Sequence, residues 1–290
     1  MFNISVVIAT YNRKEFLKKI LDQLLSQELP QEIKLSVIVV MDGSVDGTKE
    51  MVEINFPEIH LIEGTGTWWW TKCMNEGFLK AIELKSDFVL IMNDDTEITE
   101  DYIKILWSDY KTVPEGSILG SASISIDPPY LINSAGTKEF IRWRLKFIPY
   151  IDGVKPIYPE FKGVHSTWTL SGRGTLIPVK VLSKIGSYDT NLVQYGSDDE
   201  YILRAKKSGI NCFISWNAHV HNHLTMTSEG TAFRKDSFFK FLASFFNPFA
   251  VNSLKKEKYY YKKHGYKLLL PLYLIYVFFG TMKAYLFKYN

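Results

Sequence analysis

The sequence predicts an α/β fold in which a mostly parallel, Rossmann-like sheet carries helices on both faces. Three observations predict it. Short apolar runs end abruptly in polar turn residues, helical periodicity fills the intervals between them, and acidic residues collect where the runs stop. Alternation at this spacing is the pattern of strand-helix-strand units, whose crossovers cover both faces of a sheet. Ligands of such open sheets bind outside the carboxyl ends of the strands.

The elements follow in order. Ser5 to Thr10 is an apolar run stopped by Tyr-Asn-Arg, and Phe16, Leu17, Ile20, Leu21, Leu24 and Leu25 then recur at helical spacing. Leu35 to Met41 reads as a second buried strand, ended by Asp42, Gly43 and Ser44. A short helix through Met51, a third strand at Ile59 to Ile62 and a helix from Met74 to Leu84 lead to a fourth strand, Phe88 to Met92. That strand runs into Asn93, Asp94 and Asp95. Adjacent carboxylates repel, and an oxygen-rich site of this kind suits Mg²⁺ or Mn²⁺ with a diphosphate supplying further ligands. Thr10, Asp42, Asp94 and Asp95 therefore converge on one edge. A solvated turn is the alternative for each of them taken alone.

Composition sets the bounds. A chain of 290 residues, 46% of them hydrophobic, can bury one large domain or a domain with an appendage. No basic-then-apolar leader is expected, because the first apolar run begins almost at Met1. With only two cysteines, Cys73 and Cys212, no disulfide framework is expected, and their spacing predicts no cysteine-held zinc. The net charge of +3 conceals asymmetry: from Arg234 to Asn290 there are 11 lysines and arginines against 2 acids, leaving the remainder acidic. A basic, aromatic and apolar tail on an acidic body points to a membrane surface rather than a nucleic acid.

The segments VVIATYNR, VIVVMDGSVDGT and VLIMNDDTEIT, in this order, resemble family 2 glycosyltransferases of the GT-A fold. The resemblance implies a nucleotide-sugar donor cradled by Thr10, Asn12, Arg13 and Asp42, with Asp94 at the ribose or metal and Asp95 as the direct metal ligand. GTGTWWWTKCMNEGF, Gly64 to Phe78, is similar to a bacterial, rhamnosyltransferase-like subset assigned to surface polysaccharide assembly. It implies a donor-binding Asn75 and a Trp70 at the sugar, although Trp68 to Trp70 equally suit core and rim packing. WTLSGRGTLIP resembles the family's Gly-x-Gly loop, so Gly172, Arg173 and Gly174 are expected at the acceptor and donor-sugar site. Arg173 there can meet a phosphate or carboxylate on the acceptor, or can be solvated in a tight turn.

YGSDDEYILR is similar to the acid-acid pattern that carries the family's general base. Registered on Leu203-Arg204, the base falls on Asp198, with Asp199 and Glu200 as the fallback positions. An acceptor hydroxyl is a poor nucleophile, and a carboxylate within reach can take its proton as the new bond forms. Downstream, His219, His221 and His223 alternate, so on a strand they share one face. The family often places a metal-binding His here. The register from Arg204 falls on Asn222 itself and leaves His221 or His223, while zinc binding or a polar edge stay open.

Between these motifs, a strand is expected at Ile118 to Ile126 and a hairpin over Phe140 to Tyr150, near the acceptor site. Arg142-Trp143 lacks the Gln of processive synthases, since Glu139 stands in its place. Leu268 to Met282 is uncharged for only 15 residues, short of the about 20 that a span needs. With its basic and aromatic flanks it suits an in-plane anchor, a core helix or a dimer contact.

The chain is accordingly expected to hold a glycosyltransferase domain over 1–233, with a nucleotide half to 110 and an acceptor half beyond, and a membrane-associating segment over 234–290. The implied activity is metal-dependent, inverting transfer of one sugar from a UDP- or dTDP-sugar to a glycan or lipid-linked acceptor at the cytoplasmic face of the membrane. Two rivals remain: a nucleotidyltransferase, against which the first strand end lacks a Gly-rich triphosphate loop, and a silent scaffold of the same fold.

Overall fold

The computed structural model describes residues 1–223 and 237–288. The first half alternates as β1 Phe2–Thr10, α1 Lys14–Leu25, β2 Ile33–Asp42, α2 Thr48–Asn55, β3 His60–Gly64, α3 Trp69–Glu83 and β4 Phe88–Asn93. A short β5 (Thr96–Glu97) and α4 (Tyr102–Tyr110) follow. The second half holds β6 Ile118–Ser125, β7 Ile132–Ser134, β8 Thr137–Ile141, β9 Lys146–Pro149, β10 Val164–Ser166 and β11 Thr175–Pro178. It closes with α5 Val179–Ile185, α6 Ser197–Lys207 and β12 Cys212–Asn222. A C-terminal unit contains α7 Phe238–Ser244, α8 Leu254–His264 and α9 Leu270–Lys288. The domain boundary expected at 233/234 lies outside the described residues.

The main sheet runs β10-β12-β6-β11-β4-β1-β2-β3. β1 lies parallel to both β2 and β4, and β2 to β3. Alternate residues of β1 enter opposite cores. Ile4, Val6 and Ile8 pack with Leu17, Ile20 and Leu106, whereas Val7 packs with Ile38, Met74, Phe78 and Tyr201. Burial on both faces is why these strands read as unbroken apolar runs.

β11 breaks the parallel order. It is antiparallel to β4 with Thr175 opposite Ile91, and antiparallel to β6. This reversal brings the loop that precedes β11 to the C-terminal end of β4, beside the acidic pair. β12 runs parallel to β6 and ends at the same edge, with Asn222 opposite Ser125.

Two local expectations change. α3 starts at Trp69 rather than Met74, because the Asp42 carboxylate supplies acceptors for its first backbone N–H groups. The expected hairpin forms as β8 and β9, but it packs on the C-terminal unit: Arg142 Nε donates to the His264 carbonyl at 3.0 Å. Phe140, Phe147 and Trp168 join Leu192, Leu203 and Tyr260 in a cluster under that contact.

Candidate active site

The carboxyl edge of the sheet gathers the two acidic clusters. Thr10 Oγ1 donates to Asp94 Oδ2 at 2.9 Å, and Arg13 Nη1 lies 3.0 Å from both Asp94 Oδ1 and Asp95 Oδ2. Burial pushes the Asp94 carboxyl up to about 6, against the opposing charge of Arg13. Asp95 Oδ1 is buried and has no hydrogen-bond donor among the described residues. A buried carboxylate oxygen in that condition is an atom that a hard cation would take. Among the described residues no three His, Cys, Asp or Glu side chains converge into a metal cage. One or two carboxylates, with phosphate oxygens completing the shell, is the usual protein share of a Mg²⁺ site.

Antiparallel pairing of β12 with β5 sets His221 opposite Glu97 and Asn222 opposite Thr96. One further step of that register brings His223 level with Asp95, its ring edge-on to Phe16 at 5.9 Å. His221 is instead bonded to the Ser125 backbone, and burial lowers its pKa. His219 Nε2 sits 2.8 Å from the Trp216 carbonyl and its ring stacks on Phe161. Of the two metal-ligand candidates, His221 is therefore engaged elsewhere.

The residues expected around the nucleotide build the walls of the cleft. Asp42 Oδ1 accepts from Gly66 N at 2.7 Å, and Oδ2 from Trp68 N and Trp69 N at 2.8 and 3.0 Å. A Cβ on Gly64 would lie 2.7 Å from Asp42 Oδ1, so only glycine admits this approach. Trp69 is held at φ +59, a left-handed conformation rare for a large side chain. Asn12 ties two loops together: its backbone N–H donates to Ser44 Oγ at 2.9 Å and its Oδ1 accepts from Val45 N at 2.8 Å. Asn75 departs from expectation. Its amide donates to the Tyr188 carbonyl and accepts from the Tyr188 N–H, both at 2.9 Å, so it acts on the cleft through Tyr188.

Tyr188 leads to the second acidic cluster. Its hydroxyl hydrogen-bonds Asp198, at the start of α6. Trp70 Nε1 donates to Asp198 Oδ1 at 3.2 Å and Gly172 N to Oδ2 at 3.1 Å. Burial raises the Asp198 pKa although these donors and the Arg173 charge oppose it. A Cβ on Gly172 would fall 2.4 Å from the Trp70 ring, so this glycine is what lets the indole reach the carboxylate. Asp199 accepts from Thr169 Oγ1. Glu200 is fully buried and paired with Arg204 and Lys263 at 2.9 and 2.8 Å, with His264 Nε2 3.3 Å away. It joins α6 to α8 and is withdrawn from the cleft, which removes it as a fallback base.

Arg173 crosses between the two clusters. With the Asn93 amide oriented to satisfy its neighbours, Asn93 donates to the Gly172 carbonyl at 3.1 Å and accepts from Arg173 Nε at 3.2 Å. Arg173 Nη1 lies 3.1 Å from the side-chain amide of Asn222. Gly174 is at φ +71 and its N–H donates to the Ile91 carbonyl at 2.8 Å, which fixes the loop on β4. Tyr188 carries no local sequence signal, Asn93 is marked only by its place before the acidic pair, and Asn222 only by the register from Arg204.

The model of the family described as glycosyl transferase family 2 matches residues 5–169, more than half of the chain. No curated protein matches by sequence. A crystal structure of GalNAc-T7 with UDP, GalNAc and Mn²⁺ is similar with a TM-score of 0.63 at 13% identity, over 97% of this chain and 58% of that one. S. aureus TarS is similar with a TM-score of 0.59 at 16% identity, over 98% of this chain and 54% of that one. S. aureus TarS 1–349 in complex with UDP gives 0.57 at 15% identity, covering 98% and 89%. This chain thus spans just over half the length of GalNAc-T7 and of the longer TarS chain. At such identities the likeness shows the fold, which is GT-A.

Proposed function

The chain belongs to glycosyl transferase family 2 and is a glycosyltransferase, and from that premise we propose that it moves one sugar, with inversion, from a UDP- or dTDP-sugar to a glycan or lipid-linked acceptor. The observation that carries this reading is Asp198, held by three donors at the start of α6 while burial keeps its basicity above that of an ordinary aspartate. A carboxylate of raised pKa takes the acceptor proton more readily than an ordinary aspartate. Attack from the face opposite the nucleotide needs one such group and no covalent intermediate.

Asp94 and Asp95 face the other half of the reaction. The residues fit a divalent ion: Asp95 would hold Mg²⁺ or Mn²⁺, with Asp94 and His223 beside it, and the bound ion supplies charge neutralisation for the leaving diphosphate. Arg13, bridging both acids, keeps their charges balanced before the donor arrives and can turn to phosphate oxygens. Arg173, steadied by Asn93 and Asn222, presents a cation between the clusters for an anionic group of donor or acceptor.

The Gly64 to Phe78 pattern supports a bacterial, rhamnosyltransferase-like role in cell-surface polysaccharide assembly, such as O-antigen or capsule. The basic, apolar C-terminal unit supports an acceptor presented at the cytoplasmic face of the membrane. The test is a donor screen with UDP- and dTDP-sugars in Mg²⁺, Mn²⁺ or EDTA. One donor should release its nucleoside diphosphate in a metal-dependent way, and Asp198→Asn should abolish transfer. Equal activity of Asp198→Asn and wild type would remove Asp198 as the base, and no release from any donor would remove the reading.

A further inference from the structure

Lys267–Phe287 is long and apolar enough to cross a membrane by length and composition, with a mean hydropathy of 1.5. The way α9 is held argues for another arrangement. Tyr273, near its start, stacks on Tyr261 of α8 at 4.1 Å and its hydroxyl bonds Glu257. Phe278 packs against Phe245 at 4.9 Å. Tyr285, near the other end, stacks on Phe241 of α7 at 4.1 Å and 12°. Contacts twelve residues apart along the helix, about 18 Å, bind one side of it to the polar body along most of its length. Crossing a bilayer would either strip these contacts or carry Glu257 of α8 toward hydrocarbon.

We propose that α9 lies in the plane of an anionic membrane leaflet, embedded through Leu272, Ile275, Phe279 and Leu286. These side chains are 64%, 54%, 65% and 47% exposed, and their spacing of three, four and seven puts them on one face, opposite Tyr273 and Tyr285. The rim has the chemistry of an interface. Arg144, in the turn between β8 and β9, packs 4.7 Å over the Tyr276 ring and bonds its hydroxyl at 2.6 Å. The neighbouring Trp143 is 53% exposed, as an aromatic at headgroup level is. Lys240, Lys267 and Lys283 are exposed, and residues 237–288 carry nine lysines against one glutamate. That excess is complementary to anionic headgroups.

The same unit packs against the elements that carry the cleft. Phe249 stacks on Trp69 at 4.4 Å, and Lys263 and His264 grip Glu200 of α6. Seating α9 on a leaflet holds the cleft at a defined height above it, where the headgroup of a lipid-linked acceptor would lie. This last consequence rests on the proposed function; the docking itself does not.

Flotation of the full chain with phosphatidylcholine vesicles, with and without phosphatidylglycerol, tests the inference. Wild type should float with the anionic vesicles, less so as salt rises, and alkaline carbonate should release it. The double variant Ile275→Glu, Phe279→Glu should bind at least about tenfold more weakly per charge introduced with an unchanged melting temperature. Trp143→Ala should weaken binding more mildly. Failure of wild type to float would overturn the proposal. So would a carbonate-resistant form with a protease-protected C-terminal epitope, which is a span. A solution dimer dissociated by the double variant would assign the face to a second copy instead. Donor hydrolysis measured on the same samples reports the enzymatic reading separately, so a silent enzyme that floats and a working enzyme that does not are told apart.

Discussion

Replacing Trp70 by Phe removes one hydrogen-bond donor from Asp198 and leaves an aromatic ring in place. The indole N–H lies 3.2 Å from Asp198 Oδ1, at the long end of a hydrogen bond. Bonds to ionised acceptors stabilise by about 1.5–3 kcal/mol; the length of this one favours the lower figure, about one pH unit of proton affinity. The sign is determined by the base's role. As the proposed base Asp198 would act deprotonated; its pKa is already raised by burial, and the Trp70 bond opposes that rise. Loss of the bond moves the rising acid limb of kcat/KM upward by about one pH unit. Below the limb the rate falls about tenfold, and on the plateau it changes little. The smaller ring also leaves space against Gly172, with a cost to stability of about 1–2 kcal/mol. The assay is a pH series of diphosphate release at saturating metal, paired with thermal melting. A limb at the wild-type position, in a variant that melts slightly lower, would refute the link between Trp70 and the catalytic base.

Other outcomes follow from the same geometry. Arg13→Ala should raise the affinity of the donor-free protein for Mn²⁺ by titration calorimetry, because the guanidinium no longer occupies the carboxylates, and should weaken nucleotide binding. Metal binding to wild type should strengthen as pH rises through about 6, where Asp94 gives up the proton that burial favours; a flat profile from pH 5 to 7 would count against that shift. Glu200→Gln leaves Arg204 without its carboxylate, while Lys263 keeps Asp189, and should destabilise by about 3 kcal/mol. The Glu200 pKa is depressed from 4.5 to about 2, so its stabilisation is present above 4.5 and lost as pH falls toward 2; the variant should lose that part of the acid dependence in urea melts. Gly77→Ala should cost about 1–3 kcal/mol despite better helix propensity, since its Cβ would fall 2.2 Å from Val7 Cγ1.

The C-terminal unit packs against the helix that carries the proposed base. Glu200 stands two residues after Asp198 on the same helix, and three of its partners lie on α6 and α8. A perturbation of α8 therefore reaches the helix that carries the proposed base.

The sequence by itself determined the first half of the architecture, because strands buried on both faces and helices of period 3.6 leave a local record in the order of apolar residues. It also determined the carboxylates at the end of β4 and the acids opening α6, since polar residues that interrupt such runs stand at strand and helix ends. What each polar group bonds was decided only by tertiary structure. Asn75 and Tyr188 are separated by 113 positions and Trp70 and Asp198 by 128; no local pattern encodes a contact that depends on how α3 packs against the loop before α6. The antiparallel entry of β11 likewise sets Gly172 to Gly174 beside Asp94 and Asp95 through hydrogen bonds between distant strands. For α9, composition left an in-plane anchor, a core helix and a dimer contact open. What tertiary structure decided is that Tyr273 and Tyr285 hold one face on α8 and α7 and leave the other outward.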